Sequence, residues 1–196
     1  AVSRPAPVYA PKAAVIVSLR GADPFLGGVL EALVRQDYPD YTVFVIVDHA
    51  ADPAAAVVAR VAATAPAGTI VASVLTDPLP GCSLKCSALI QALRALDAAY
   101  EVAAFVDADA VPYPLWLRDM VAPLADGRVG ATTGTRWYAP ASAEWGTLGR
   151  YVWNVGAAVQ TWLNGWAWGG SMAVRTQTVG AVGLIEALSG ALSDDI

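Results

Sequence analysis

The chain has 196 residues, 56% of them hydrophobic and 15% charged, which suits one packed domain and excludes a disordered segment. Its 12 Lys and Arg stand against 17 Asp and Glu, a formal net charge of −5 without the basic footprint of a nucleic-acid binder. An apolar content this high points to a heavily buried sheet, to a surface that docks on something greasy, or to both.

Pro5, Pro7 and Pro11 make residues 1–12 read as an extended lead-in. The chain begins at Ala1 without the charged-then-apolar pattern of a signal peptide, and it reads as a piece of a longer protein. Ala13–Leu19 is a short apolar run closed by Arg20-Gly21, a buried strand followed by a turn. Asp23-Pro24 opens a helix, Asp as cap and Pro in the first position, with Phe25, Leu26, Val29, Leu30, Leu33 and Val34 at helical spacing. Val43–Val47 forms a second strand ending on Asp48. Asp52-Pro53 repeats the cap-plus-proline device for a helix to about Thr64, and Thr69–Leu75 is a third strand.

Ser83 caps a helix carrying Leu84, Leu89, Leu93 and Leu96 on one side. Cys82 and Cys86, four residues apart, read as small buried or half-buried apolar side chains; with His49, the one histidine, they do not complete a four-ligand zinc site. Val102–Val106 is a fourth strand running into Asp107-Ala108-Asp109, with Pro112, Pro114 and a helix at Leu115–Leu124 beyond. The apolar stretch from Val152 to Leu163 is interrupted by Asn154, Gln160 and Thr161, so it does not read as a membrane span. The aromatic residues Trp137, Tyr138, Trp145, Tyr151, Trp153, Trp162, Trp166 and Trp168 read mainly as packing against the sheet. Stacking on sugar and facing lipid are the alternatives, and Trp166 and Trp168, just ahead of a glycine pair, are the functional candidates.

Apolar strands alternating with helices imply an α/β fold whose mostly parallel sheet is covered on both faces. Ligands of such sheets lie beyond the carboxyl ends of the strands. The polar residues there are Arg20, Asp48, Asp77, Asp107 and Asp109. Two aspartates one residue apart, past a buried strand, suit a hard divalent cation that shares its shell with a diphosphate. Bound there, it would stabilise charge on a departing nucleotide. Elsewhere an Asp-x-Asp is often a solvated turn; its place at a strand end favours the site. Gly81-Cys82-Ser83-Leu84-Lys85 puts a glycine, a cap hydroxyl and a lysine at a helix start, an arrangement that favours phosphate. No P-loop pattern is present, no dinucleotide-binding glycine fingerprint follows the first strand, and Gly169-Gly170-Ser171 lacks the spacing of a nucleophile elbow.

Val17-Ser18-Leu19-Arg20-Gly21, Gln36-Asp37-Tyr38-Pro39, Val47-Asp48, the Gly81 to Lys85 turn, Val106-Asp107-Ala108-Asp109, Gly169-Gly170-Ser171-Met172-Ala173-Val174-Arg175 and Ser193-Asp194-Asp195 occur in this order. Together they resemble glycosyltransferase family 2, and within it the ceramide glucosyltransferase-like branch that includes bacterial hopanoid-linked enzymes. The resemblance runs from about Ala13 to Ile196. It implies a GT-A-type, Rossmann-like three-layer fold over 13–196, cut short on its C-terminal side, and an inverting enzyme using Mn²⁺ or Mg²⁺. Asp48, Lys85 and Asp107 would bind the nucleotide of a UDP-sugar, Asp107 and Asp109 the metal. Trp168, Gly169, Gly170 and Ser171 would border the acceptor, a lipid or other membrane-proximal hydroxyl. Asp195 would be the general base, with Asp194 as the competing candidate.

The family's Gln-x-x-Arg-Trp motif is absent, as are flanking membrane helices, so the piece is expected to bind nucleotide even where it does not turn over. A cytoplasm-facing catalytic domain at a bacterial inner membrane is the expected location. A nucleotidyltransferase on a related sheet and a non-catalytic nucleotide-sugar-binding module are the alternatives.

Overall fold

The computed structural model describes residues 9–135, 137–138 and 142–194. Its strands are β1 (Ala13–Leu19), β2 (Tyr41–Val47), β3 (Ile70–Val74), β4 (Val102–Val106), β5 (Ala131–Thr133) and β6 (Ser171–Arg175), and they form one sheet in the order β3-β2-β1-β4-β6-β5. The first four are mutually parallel, while β6 runs antiparallel to β4 and to β5. The helices are α1 (Leu26–Leu33), α2 (Ala54–Ala62), α3 (Leu84–Ala95), α4 (Trp116–Val121), α5 (Trp145–Asn164), α6 (Thr176–Ala181) and α7 (Leu184–Ser189).

Alternate residues of β1 sort into two cores, as the two-residue period of a strand requires. Val15, Val17 and Leu19 pack with α1, α2 and α4 on one face, and Ala14 and Ile16 pack with α3 and α7 on the other. All five residues of β4 are buried, as is nearly all of β1. The covered parallel sheet read from these apolar runs is therefore present at its centre. Edge strand β3 departs from it: Val71, Ala72 and Ser73 are exposed, because among the described residues no further strand covers that edge.

The helix starts show which local signals were strong. Ser83 caps α3, its hydroxyl accepting from the Cys86 N–H at 3.1 Å. The Asp23-Pro24 pair does not cap α1 directly. It forms the preceding turn, in which the Leu26 N–H meets the Asp23 carbonyl at 3.0 Å, and the helix begins at Leu26 without a side-chain cap. The buried side of α3 runs through Cys86, Ala88, Leu89, Ile90, Ala92 and Leu93, so Leu84, exposed, does not belong to the leucine stripe expected there. After Val121 the chain tightens into a 3₁₀ turn at Ala122–Ala125, where Pro123 has no N–H to continue an α-helix.

Candidate functional site

The strand order places a topological switch between β1 and β4. The chain leaves β1 for β2 through α1 on one face and comes from β3 to β4 through α3 on the other, which leaves a crevice at the carboxyl ends of β1 and β4. A cleft of about 530 Å³ lies there, lined by Arg20 after β1, Asp48 after β2, Ser83, Leu84 and Lys85 at the start of α3, and Asp107, Ala108 and Asp109 after β4. The antiparallel strand completes it. Pairing of Val106 with Ser171 sets Gly169-Gly170 beside Asp107, whose N–H donates to the Gly170 carbonyl at 3.0 Å. Residues some sixty positions apart in sequence thus meet through one ladder register.

Charge in the cleft is mixed. Arg20 Nε lies 3.4 Å from Asp48 Oδ2, and its guanidinium is otherwise largely in solvent. Lys85 is the central cation: its Nζ donates to Asp107 Oδ1 at 2.5 Å and lies 2.7 Å from Asp194 Oδ1. Burial opposes the charge of Lys85, yet the hydrogen bonds and Coulomb attraction of these two carboxylates outweigh it and raise its pKa above the ordinary lysine value. Asp194 is 5% exposed, and its Oδ2 is buried without a hydrogen-bond partner. An ammonium held between two carboxylates marks a point where this cleft accommodates positive charge. Asp107 and Asp109 add the hard oxygen donors that Mg²⁺ and Mn²⁺ take, so these residues fit such an ion.

The glycine pair has a steric reason. Neither glycine has a positive φ, so the backbone does not demand glycine. A Cβ on Gly169 would run into the Asp194 carboxylate, and one on Gly170 into the Asp107 carboxylate and the Trp168 indole. Bare backbone is what lets Asp107, Asp194 and Trp168 converge. Ser171, the next residue, is buried; its hydroxyl accepts from Trp116 Nε1 at 2.9 Å, and its carbonyl accepts from the Gly134 N–H at 2.7 Å. The Trp168 N–H donates to Thr133 Oγ1 at 2.9 Å, so β5 braces the same turn.

Two further motif segments act at a distance from the cleft. Gln36 is buried, its amide donating to the carbonyls of Ala32 and Tyr113 and its oxygen accepting from the Leu117 N–H, which clamps the loop after Asp109 to α1. The Tyr38 hydroxyl donates to the Pro11 carbonyl at 2.6 Å and fastens the end of the lead-in. Asp52 accepts from the Gly21 N–H with both carboxylate oxygens at 3.0 Å and from the Ala54 N–H at 2.8 Å. Burial pushes its pKa up, but these backbone donors prevail and hold it below the usual carboxylate value.

Asp48, Lys85, Asp107 and Asp109 thus share one cleft, with Trp168, Gly169, Gly170 and Ser171 on the adjoining turn. Asp77 is exposed on the β3 side and does not line it. Asp195 lies outside the described residues. Asp194 is the described member of that acidic pair, and its contact with Lys85 was not legible in sequence. Ligand atoms of Asp48, His49 and Asp52 lie within 4.8 Å of one another, a grouping missed because Asp52 reads only as a cap. Its oxygens are already engaged by backbone N–H groups, which favours the capping role.

Several solved structures share this architecture. A mannosyltransferase from Pyrobaculum calidifontis, in complex with GDP-Man and Mn²⁺, is 27% identical with a TM-score of 0.68; the match covers 90% of this chain and 48% of that one. Glucosyl-3-phosphoglycerate synthase from Mycobacterium tuberculosis, in complex with Mn²⁺, UDP and glucosyl-3-phosphoglycerate, is 14% identical with a TM-score of 0.57, covering 93% of this chain and 68% of that one. S. aureus TarS 1-349 in complex with UDP-GlcNAc is 20% identical with a TM-score of 0.52, covering 68% and 36%. The last two likenesses show the fold alone, and the fold is the GT-A fold. The chain therefore spans about half the length of the mannosyltransferase. No curated protein matches the sequence. The family match, glycosyl transferase family 21, extends over residues 1–196. Its number differs from the family 2 suggested by the motifs, but it is the ceramide glucosyltransferase family to whose branch they pointed. This chain belongs to glycosyltransferase family 21.

Proposed function

We propose that the protein transfers a sugar from a nucleotide diphosphate sugar, UDP-linked, to a hydroxyl of a lipid or other membrane-proximal acceptor, with inversion at the anomeric carbon. The observation that carries this reading is the convergence of Asp48, Lys85, Asp107 and Asp109 on one cleft at the switch point of the sheet, in a family 21 chain. Asp48 would accept from the base, and Lys85 would turn its ammonium from Asp107 toward the diphosphate. Asp107 and Asp109 would hold Mn²⁺ or Mg²⁺. When bound, such an ion supplies Lewis acidity that offsets negative charge on the leaving nucleotide.

The attacking hydroxyl needs an ionised carboxylate within hydrogen-bond reach. Asp195 is assigned that role, with Asp194 anchored by Lys85 immediately before it. The turn at Trp168-Gly169-Gly170-Ser171 would border the acceptor, and its bare backbone leaves room beside Asp107. Membership of the hopanoid-associated branch and a cytoplasm-facing position at a bacterial inner membrane belong to the same proposal.

Calorimetric titration of UDP- and GDP-sugars, with and without Mn²⁺, tests the site. Mn²⁺-dependent binding of a UDP-sugar is expected, weakened about tenfold or more by Asp109→Ala, the loss of one charged ligand contact. Mn²⁺-dependent binding that Asp109→Ala leaves unchanged would overturn the assignment.

A further inference from the structure

Helix α5 carries its polarity the wrong way round for a helix bathed in water. Thr147, Tyr151, Asn154, Ala158 and Thr161 recur at the spacing of one helical stripe and turn toward the body, where buried Asn154 accepts from the Tyr138 N–H at 3.0 Å. The outward side carries Trp145 at 91% exposure, Trp153 at 81%, Trp162 at 80%, and the exposed Val152, Val159 and Leu163. Surface helices of soluble domains place these two stripes oppositely.

We infer that α5 lies along a lipid bilayer, with this outward stripe seated at the boundary between headgroups and acyl chains. Two observations favour lipid over a second protein surface, and a third favours lying on the bilayer over crossing it. Arg150 is the one charged residue of α5, and from Tyr151 to Val174 there is no Asp, Glu, Lys, Arg or His, whereas protein interfaces carry a polar rim. At about 100° per residue, Trp145, Val152, Val159 and Leu163 fall close together, while Trp153 and Trp162 fall on the two opposite edges of their stripe. Those edges stand at headgroup level in a helix lying flat, where an indole keeps its N–H wet and its ring in the apolar layer. Finally, α5 does not span: no helix among the described residues is long and apolar enough to cross a membrane, and its inner stripe is engaged by Tyr138.

The placement bears on the membrane-proximal acceptor proposed above. A cavity of about 200 Å³ separates the inner side of α5 from Gly134, Thr135 and Trp168, and Trp153 lines it too. The helix therefore connects the bilayer-facing stripe with the turn that leads into Gly169-Gly170.

Vesicle flotation and brominated-lipid quenching test the inference on the chain itself. With phosphatidylcholine vesicles, with and without phosphatidylglycerol, the wild type should float, and phosphatidylcholine brominated high on the acyl chain should quench its tryptophan fluorescence. Val152→Glu with Val159→Glu, at outward positions, should cut partitioning at least about tenfold while leaving the circular-dichroism melt unchanged. Trp145→Phe with Trp153→Phe and Trp162→Phe should keep flotation and lose most of the quenching. A folded wild type that does not float, or a glutamate variant that floats equally well, overturns the inference. So does self-association that the glutamate variant abolishes and vesicles fail to displace, which would assign the face to a second copy. UDP binding in the same samples is scored separately: a chain that floats and binds no nucleotide sinks the proposed function and leaves this inference standing.

Discussion

Lys85 concentrates the electrostatics of the cleft in one side chain. Its ammonium neutralises part of Asp107 and pairs with buried Asp194, so removing it leaves a carboxylate out of water without its cation. Breaking a fully buried pair costs about 3–5 kcal/mol. The Lys85 side chain is 35% exposed, which discounts the figure to about 1–2 kcal/mol. Lys85→Met should therefore lower the melting temperature by about 2–8 °C and weaken UDP-sugar binding. Asp194→Asn in the Lys85→Met background should recover part of the stability, as a double-mutant cycle on one ion pair requires. A loss in the double variant equal to the sum of the losses in Lys85→Met and Asp194→Asn alone would show that the pair is not coupled.

At the scale of elements, the decisive event is the reversal of direction between β4 and β6. A parallel neighbour would deliver its amino end beside the amino end of β4; the antiparallel one delivers Gly169-Gly170 to the carboxyl end of β4. The pair then works by having no side chains there. Gly170→Ala forces a methyl group against Asp107 and the Trp168 ring and should cost about 1–3 kcal/mol, with loss of nucleotide binding. Gly156→Ala, in open space on α5, is the control and should be neutral or stabilising by up to about 1 kcal/mol. Thermal melts and calorimetry on both variants check the contrast, and equal effects would remove the steric explanation.

Across the whole molecule, the site end of the fold is held by contacts long in sequence. Asp52 joins the turn after β1 to the start of α2, bonding Gly21 and Ala54 at once. Its pKa is held below the unfolded carboxylate value of about 3.9. The stability it contributes is thus fully present above that value and is lost as pH falls through the lower, folded-state one. Asp52→Ala should destabilise the protein by about 1–3 kcal/mol at neutral pH. The gap between variant and wild type should narrow as melts are repeated from pH 6 toward pH 3, and a gap that stays constant would refute the role.

Local chemistry was enough to find the pieces. Runs such as Ala13–Leu19 and Val102–Val106 are buried on both faces, so continuous hydrophobicity marks them directly, and both coincide with β1 and β4. Ser83 states its cap by residue type, and Asp48, Lys85, Asp107 and Asp109 are placed in the cleft by standing at the ends of such elements. What sequence left open depends on partners far along the chain. That Asp77 stays outside the cleft accords with its place after β3, the edge strand. That Asp194 meets Lys85 follows from the path of the chain after α7, where the Ser83 N–H holds the Ala191 carbonyl at 3.0 Å. The outward apolar stripe of α5 is likewise a tertiary fact, since periodicity shows that a helix has two faces but only packing shows which one turns away. By itself the sequence determined the elements from β1 to α4, their order and the chemistry at their ends, because these rest on local hydrophobic period, capping and turn residues. The tertiary structure decided which carboxylates share a cation, why two glycines adjoin them and which side of α5 is left uncovered, because each depends on strand direction and contacts between distant residues.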